Sequence, residues 1–181
     1  MGYAGGSRPN PTYENIGDYT ETVEMDYDPN VVSYEQLLNL FWQFHQPVRP
    51  AFSRQYRSAV FYHDDSQKEL AEKVKARIEQ NMHVKLSTDI EPLKHFYLAE
   101  DYHQKYYLRQ LGPFEMAYEK LYPRLGDFIN STAVTRVNGF VGGSGDSALL
   151  QQEIGDYGLD AASQKALLDL AKNSHPIRCA Y

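Results

Sequence analysis

At 181 residues, 42% of them hydrophobic, the chain is long enough to bury a real core. Its formal net charge of -6 argues against a general binder of nucleic acid or of anionic membranes, since both need a basic face. No run has the length of a membrane span, the Met1–Pro9 stretch has no apolar signal core, and the single cysteine, Cys179, excludes an internal disulfide. These features lead to the expectation of a cytoplasmic protein in a reducing compartment.

Aromatic residues make up 13% of the chain, and 15 of them are tyrosines, a composition suited both to cores and to pockets that grip a polar group within an apolar wall. Residues 21–28 alternate, with Val23, Met25 and Tyr27 against Thr22, Glu24 and Asp26, and predict a half-buried strand. Asp28-Pro29-Asn30 closes it with turn chemistry. Ser33 and Gln36 form a capping box for a helix carrying Leu37, Leu38, Phe41, Trp42 and His45, with Pro47 as its stop. Residues 56–63 predict a second strand. Ser66 with Glu69 reads as another capping box, ahead of a helix with the stripe Leu70, Val74 and Ile78. Residues 86–91 form a short third strand. Beyond about Tyr97 the strand signal ends. Phe114, Tyr118 and Leu121 share a helical face, Ser131 caps residues 132–138, and Gly142-Gly143-Ser144-Gly145 is a flexible break. Two further helices carry Leu149, Leu150 and Ile154, then Leu167, Leu168 and Ala171, the second capped by Asp160. Strands alternating with single helices indicate an α/β sandwich, followed by a helical extension. The expected division is residues 1–112 and 113–181, the extension packing on the first part.

Four separated motifs carry a family resemblance: GYAGG with PNPTY (residues 2–13), YDP followed by SYEQLLNLFWQFH (27–45), QYRSAVFYH (55–63) and FYLAEDYHQKYY (96–107). They resemble the A-type peptide methionine sulfoxide reductases. STAVTRVNGFVGG (131–143) is similar to a longer branch with a C-terminal extension. The resemblance implies an α+β fold, a two-layer sandwich of ferredoxin-like plait. It places the family's Gly-Cys-Phe-Trp motif, with a strand and a helix, ahead of Gly2. It also implies reduction of the S-epimer of methionine sulfoxide in peptides or proteins, repairing oxidised methionine. A thiolate attacks sulfur, the sulfoxide oxygen gains a proton, and a second thiol resolves the sulfenic acid. Thioredoxin or another dithiol then recycles the enzyme. No bound cofactor, nucleic acid or membrane is implied, and the intact family member is expected to be a monomer.

Mapped onto this sequence, Glu21, which follows the glycine loop in Gly17-Asp18-Tyr19-Thr20-Glu21, matches the family's acid, and the resemblance implies an apolar pocket that favours the neutral, proton-donating carboxyl. Tyr13 and Tyr56 match the two phenols that hydrogen-bond the sulfoxide oxygen. Three departures stand beside that mapping: the family's nucleophile and its neighbouring aromatic pair are not among these residues, Ala51 occupies a position typical of Asp, and the loop before Glu21 is short. Phe41-Trp42 follows Leu40 within a helix and reads as core. His45, His63 and His103 match no common ligand spacing, so no metal is expected. Cys179, with Arg178 and His175 nearby, matches a resolving thiol's place rather than a nucleophile's. The expectation is a reductase-family chain that is inactive as given, through truncation or loss of a cysteine or selenocysteine. The alternatives are a non-catalytic homologue that binds methionine-containing peptides or a protein partner, and a helical interaction module carrying a relic.

Overall fold

The computed structural model describes residues 1–45 and 48–173. Pro47, read as a helix stop, and Cys179 with its neighbours lie outside the described residues. The chain divides into two compact units, Met1–Glu100 and a second that begins at Asp101. The architecture is α+β, with five strands confined to the first unit and, from Asp101 on, helices alone among the described residues.

In the first unit, β1 (Gly2–Ala4) lies between β2 (Thr20–Thr22) and β5 (Phe96–Leu98), antiparallel to both. All three β1 residues are buried. The glycines beside them are there for close approach: a Cβ on Gly6 would collide with the ring of Tyr19, which is itself buried. A second sheet pairs β3 (Ala59–Tyr62) with β4 (Asp89–Pro92) in parallel. Two helices accompany these strands, α1 (Tyr34–Gln43) and α2 (Asp65–Met82). Leu38 and Trp42 from α1, Val60 from β3, Ala71 and Val74 from α2, and Leu86 form their common core. A second cluster, Tyr3, Tyr19 and Ala99, sits at the three-stranded sheet.

Several sequence expectations hold and others are corrected. The Ser33 capping box is complete, both the Ser33 side chain and the Gln36 side chain accepting from backbone N–H groups. The strand expected over 21–28 ends at Thr22. Its register pairs Gly2 with Thr22, so one more step would set Val23 against Met1, where β1 has ended. Val23 and Met25, expected to be buried, are 61% and 59% exposed. The segment expected as strand from Tyr56 begins instead with a 3₁₀ turn, Arg54–Tyr56, before β3. Helix α2 is capped by Asp64, not Ser66. Asp64 has extended backbone and its carboxylate accepts from Gln67 N at 2.8 Å, while the Gln67 side chain accepts from His63 N at 3.0 Å, which leaves Ser66 inside the helix. The third strand starts at Asp89, because Leu86 is buried in the core and its N–H donates to Glu79.

The second unit contains α3 (Tyr106–Arg109), α4 (Gly112–Leu121), α5 (Leu125–Asn130), α6 (Thr132–Val141), α7 (Ser147–Glu153) and α8 (Ala161–Asn173). Its core draws on Leu108, Phe114, Tyr118, Val137, Leu150 and Leu167 among others. Ser131 caps α6 by accepting from Val134 N, and Asp160 accepts from Ser163 N at 2.7 Å ahead of α8, both as the sequence indicates. Leu121 leaves the expected buried face, at 50% exposure in the last position of α4. The glycine run after α6 is not a loose break. Gly143 N donates to Phe140 O at 3.0 Å and Ser144 N to Gly139 O at 2.8 Å, a closed turn that keeps a glycine at Gly143 (φ 75°).

Candidate active site

Glu21 occupies the middle of β2, directly opposite Tyr3 of β1. Residues facing each other across an antiparallel pair project to the same side of the sheet. The Tyr3 hydroxyl donates to Glu100 Oε2 at 2.6 Å, and the other oxygen of that carboxylate, Oε1, accepts from the backbone N–H of Tyr13 at 2.9 Å. Glu100 thus anchors the Pro-Thr-Tyr loop to the strand that pairs with Glu21. The loop is further fixed by the Tyr19 hydroxyl, which donates to Arg8 O at 2.6 Å. Burial pushes the Tyr19 phenol up from its ordinary range, so it stays a neutral donor. On the far side of the glycine turn, Asp18 accepts from Ser7 N at 3.0 Å and from Ser7 Oγ at 2.9 Å. Those two bonds hold the Asp18 carboxyl below its ordinary value and tie the glycine turn to the segment leading into β2.

Tyr56 comes from a different part of the chain, the 3₁₀ turn Arg54–Tyr56. Two arginines set that turn against β2. Arg54 donates from Nε to Asp18 O at 2.8 Å and from an Nη to Gly5 O at 3.1 Å. Arg57 donates from Nε to Thr20 Oγ1 at 2.8 Å, and Thr20 Oγ1 donates to Arg54 O at 3.1 Å. The Arg57 fork also reaches Asp89 at 2.7 Å and, through both Nη groups, Glu91, so one guanidinium links the two sheets. Hydrogen bonding from Arg57 holds the Glu91 carboxyl below its usual value, and the same pairing raises Arg57.

These supports bring Glu21 and the turn residues into contact. Gln55 Nε2 donates to Glu21 Oε1 at 2.7 Å and to Tyr56 Oη at 3.1 Å. The Tyr56 ring lies 5.3 Å, centroid to centroid, from that of Phe52, which is 88% exposed. A carboxyl, a primary amide and a phenol therefore stand in one hydrogen-bonded row beside an exposed aromatic ring. Such a group can present a proton and a phenol donor to a small polar acceptor whose apolar substituents rest on the ring. Of the three residues singled out from sequence, Glu21 and Tyr56 are joined through Gln55. Tyr13 is anchored through its backbone N–H to Glu100, which also accepts from Tyr3, the residue opposite Glu21. Ala51, where the resemblance leads one to expect Asp, is exposed.

Sequence reasoning missed Gln55, Glu100 and the two arginines. Gln55 had a local signal, an amide next to a candidate phenol. The others act across 32 to 97 positions of sequence and leave no local pattern. His45 is part of the core edge: its Nδ1 meets Phe41 O at 2.7 Å and its Nε2 meets Thr88 Oγ1 at 3.1 Å. Among the described residues no group of three or more His, Cys, Asp or Glu could hold a metal ion, and no helix is long and apolar enough to cross a membrane. A separate apolar groove of about 220 Å³, bordered by Val23, Met25, Tyr34, Phe41, Phe61 and Phe96, does not include Glu21, Tyr13 or Tyr56.

Residues 1–133 match the family described as Peptide methionine sulfoxide reductase. A peptide methionine sulfoxide reductase of Drosophila melanogaster is 39% identical over 162 residues, covering 88% of this chain and 64% of the fly protein. The chain thus spans less than two thirds of that relative's length. The crystal structure of Mxr1 from Saccharomyces cerevisiae in its reduced form superposes with a TM-score of 0.56 at 31% identity, over 61% of this chain and 69% of the yeast chain. Methionine sulfoxide reductase A of Corynebacterium diphtheriae gives a TM-score of 0.51 at 30% identity, over 61% of this chain and 62% of its own.

Proposed function

This chain belongs to the peptide methionine sulfoxide reductase family, and on that premise we propose that Glu21, Tyr56 and Tyr13 form the proton-donating part of a site that acts on the S-epimer of methionine sulfoxide in proteins. The observation that carries the reading is the row Glu21–Gln55–Tyr56, assembled from segments 34 positions apart. The sulfoxide oxygen is the group that becomes basic as the S–O bond breaks. Glu21 supplies its proton, and the Tyr56 and Tyr13 hydroxyls donate to it while charge accumulates.

The full reaction takes two electrons from thiols. A thiolate attacks the sulfoxide sulfur as the oxygen is protonated. The S–O bond breaks and the oxygen passes to the thiol sulfur as a sulfenic acid while the thioether leaves, and a second thiol converts the sulfenic acid to a disulfide with release of water. A dithiol such as thioredoxin returns the disulfide to thiols. Cys179 is the one thiol among these 181 residues, so the thiol pair is incomplete within them. An acid and phenol donors cannot replace the attacking sulfur. We therefore expect the 181-residue chain alone to bind sulfoxide in the cytoplasm without turning it over.

The test is thioredoxin-coupled turnover of a methionine sulfoxide dipeptide, with binding of each epimer measured separately. Binding of the S-epimer without turnover supports the reading. Turnover that is abolished by Cys179→Ser would overturn the assignment of the chain as lacking its nucleophile. Binding of reduced methionine peptides in preference to the sulfoxide would favour a non-catalytic peptide-binding homologue.

A further inference from the structure

We propose that Gln55 is a positioning residue of this site, its primary amide setting the hydrogen-bonding roles of both Glu21 and Tyr56. The inference rests on the sulfoxide-site reading above. A primary amide nitrogen carries two hydrogens, and the structure commits one to Glu21 Oε1 at 2.7 Å and the other to Tyr56 Oη at 3.1 Å. Each commitment has a chemical consequence. With Oε1 of Glu21 engaged as an acceptor, the proton that Glu21 delivers resides on Oε2. With Tyr56 Oη accepting from Gln55, the bond uses a lone pair of the phenol and not its hydrogen, so the phenol is set as a donor toward an incoming acceptor. A sulfoxide oxygen is such an acceptor, and a thioether sulfur is a poor one. The amide therefore selects for the oxidised side chain over the reduced one.

The alternative is that Gln55 only braces the 3₁₀ turn. That turn already has four polar anchors that do not involve the Gln55 side chain: the two Arg54 bonds, the Arg57–Thr20 bond and the Thr20–Arg54 bond. Gln55 itself is half-buried, its amide spanning between two side chains rather than between side chain and backbone. Removal of the amide should leave the turn in place and disorganise only the roles of its two partners.

The experiment uses the 181-residue chain with isotope-labelled side-chain amides. With Gln55 retained, Tyr56→Phe should shift one Gln55 amide proton resonance and Glu21→Gln the other. Titration with N-acetylmethionine (S)-sulfoxide amide, its R-epimer and the thioether gives three affinities. Gln55→Leu and the closer-shaped Gln55→Met, neither of which can donate, should each weaken S-sulfoxide binding about fivefold, the scale of one lost hydrogen bond, and reduce the preference over the thioether. If Gln55→Leu does not fold, Gln55→Met carries the comparison. S-sulfoxide affinity and preference unchanged in the variants, or amide resonances that ignore both partner substitutions, would overturn the role of Gln55 while leaving the site reading intact. Failure of the unsubstituted chain to bind either epimer would overturn the site reading and this inference with it.

Discussion

Replacing Arg57 by Met keeps much of the aliphatic stem and removes the guanidinium that joins the two sheets of the first unit. The Arg57 side chain is 10% exposed, whereas those of Asp89 and Glu91 are 51% and 33% exposed. Breaking a fully buried pair costs about 3–5 kcal/mol. Water reaches both carboxylates here, so they are partly resolvated, and the loss should be about 2 kcal/mol. With a urea slope of about 2 kcal/mol per molar, the unfolding midpoint should fall by about 1 M at pH 7. The pH dependence follows from Glu91, whose folded-state value lies below its unfolded one because Arg57 hydrogen-bonds its ionised form. The pair's contribution is thus complete above the ordinary carboxylate value, about 4.3, and is lost as pH falls through the lowered folded value. Urea titrations of both proteins at pH 7 and pH 3 provide the assay, and the difference between them should shrink at pH 3. A difference under about 0.5 kcal/mol at pH 7, or one of equal size at both pH values, would refute this reasoning.

Three further outcomes are expected. His45→Asn should flatten the fall in stability between pH 7 and pH 5: burial holds the His45 imidazole below its ordinary value, so the unfolded chain binds the extra proton first and native stability is lost below about pH 6.5, which melting curves across that range will show. Tyr118→Phe in the second unit leaves Tyr157 O without the buried hydroxyl that donates to it at 2.8 Å, and should cost about 1–2 kcal/mol in urea unfolding. Ser33→Ala removes one half of a complete capping box and should cost about 1 kcal/mol, with Ser66→Ala as a nearly silent control because Asp64 is the cap of α2.

The parts legible in the sequence are those set by local chemistry. The caps at Ser33, Ser131 and Asp160 are each one side chain reaching a backbone N–H three residues on, and each is read correctly. The cap of α2 is misread because Asp64 and Ser66 both suit the role, and extended backbone at Asp64 decides between them. Strand β1 is invisible to periodicity: three residues, two of them Gly and Ala, derive their burial from partners near positions 21 and 97. The strand beginning at Glu21 alternates well beyond Thr22, but alternation cannot tell where the pairing partner ends. For the site, Glu21, Tyr13 and Tyr56 come from family resemblance and not from any spacing. Gln55 carries a local hint, an amide beside a candidate phenol, but its link to Glu21, and the anchoring of the Tyr13 backbone by Glu100, emerge only once segments distant in sequence are brought together.

The most direct test of the central claim is a residue-resolved NMR titration of the chain with the two epimers of N-acetylmethionine sulfoxide amide. The account predicts saturable shifts with the S-epimer, centred on Glu21, Gln55 and Tyr56 and extending to Tyr13, and much weaker shifts with the R-epimer. Equal responses to both epimers, or S-epimer shifts confined to the separate groove at Val23, Met25 and Phe96, would contradict it.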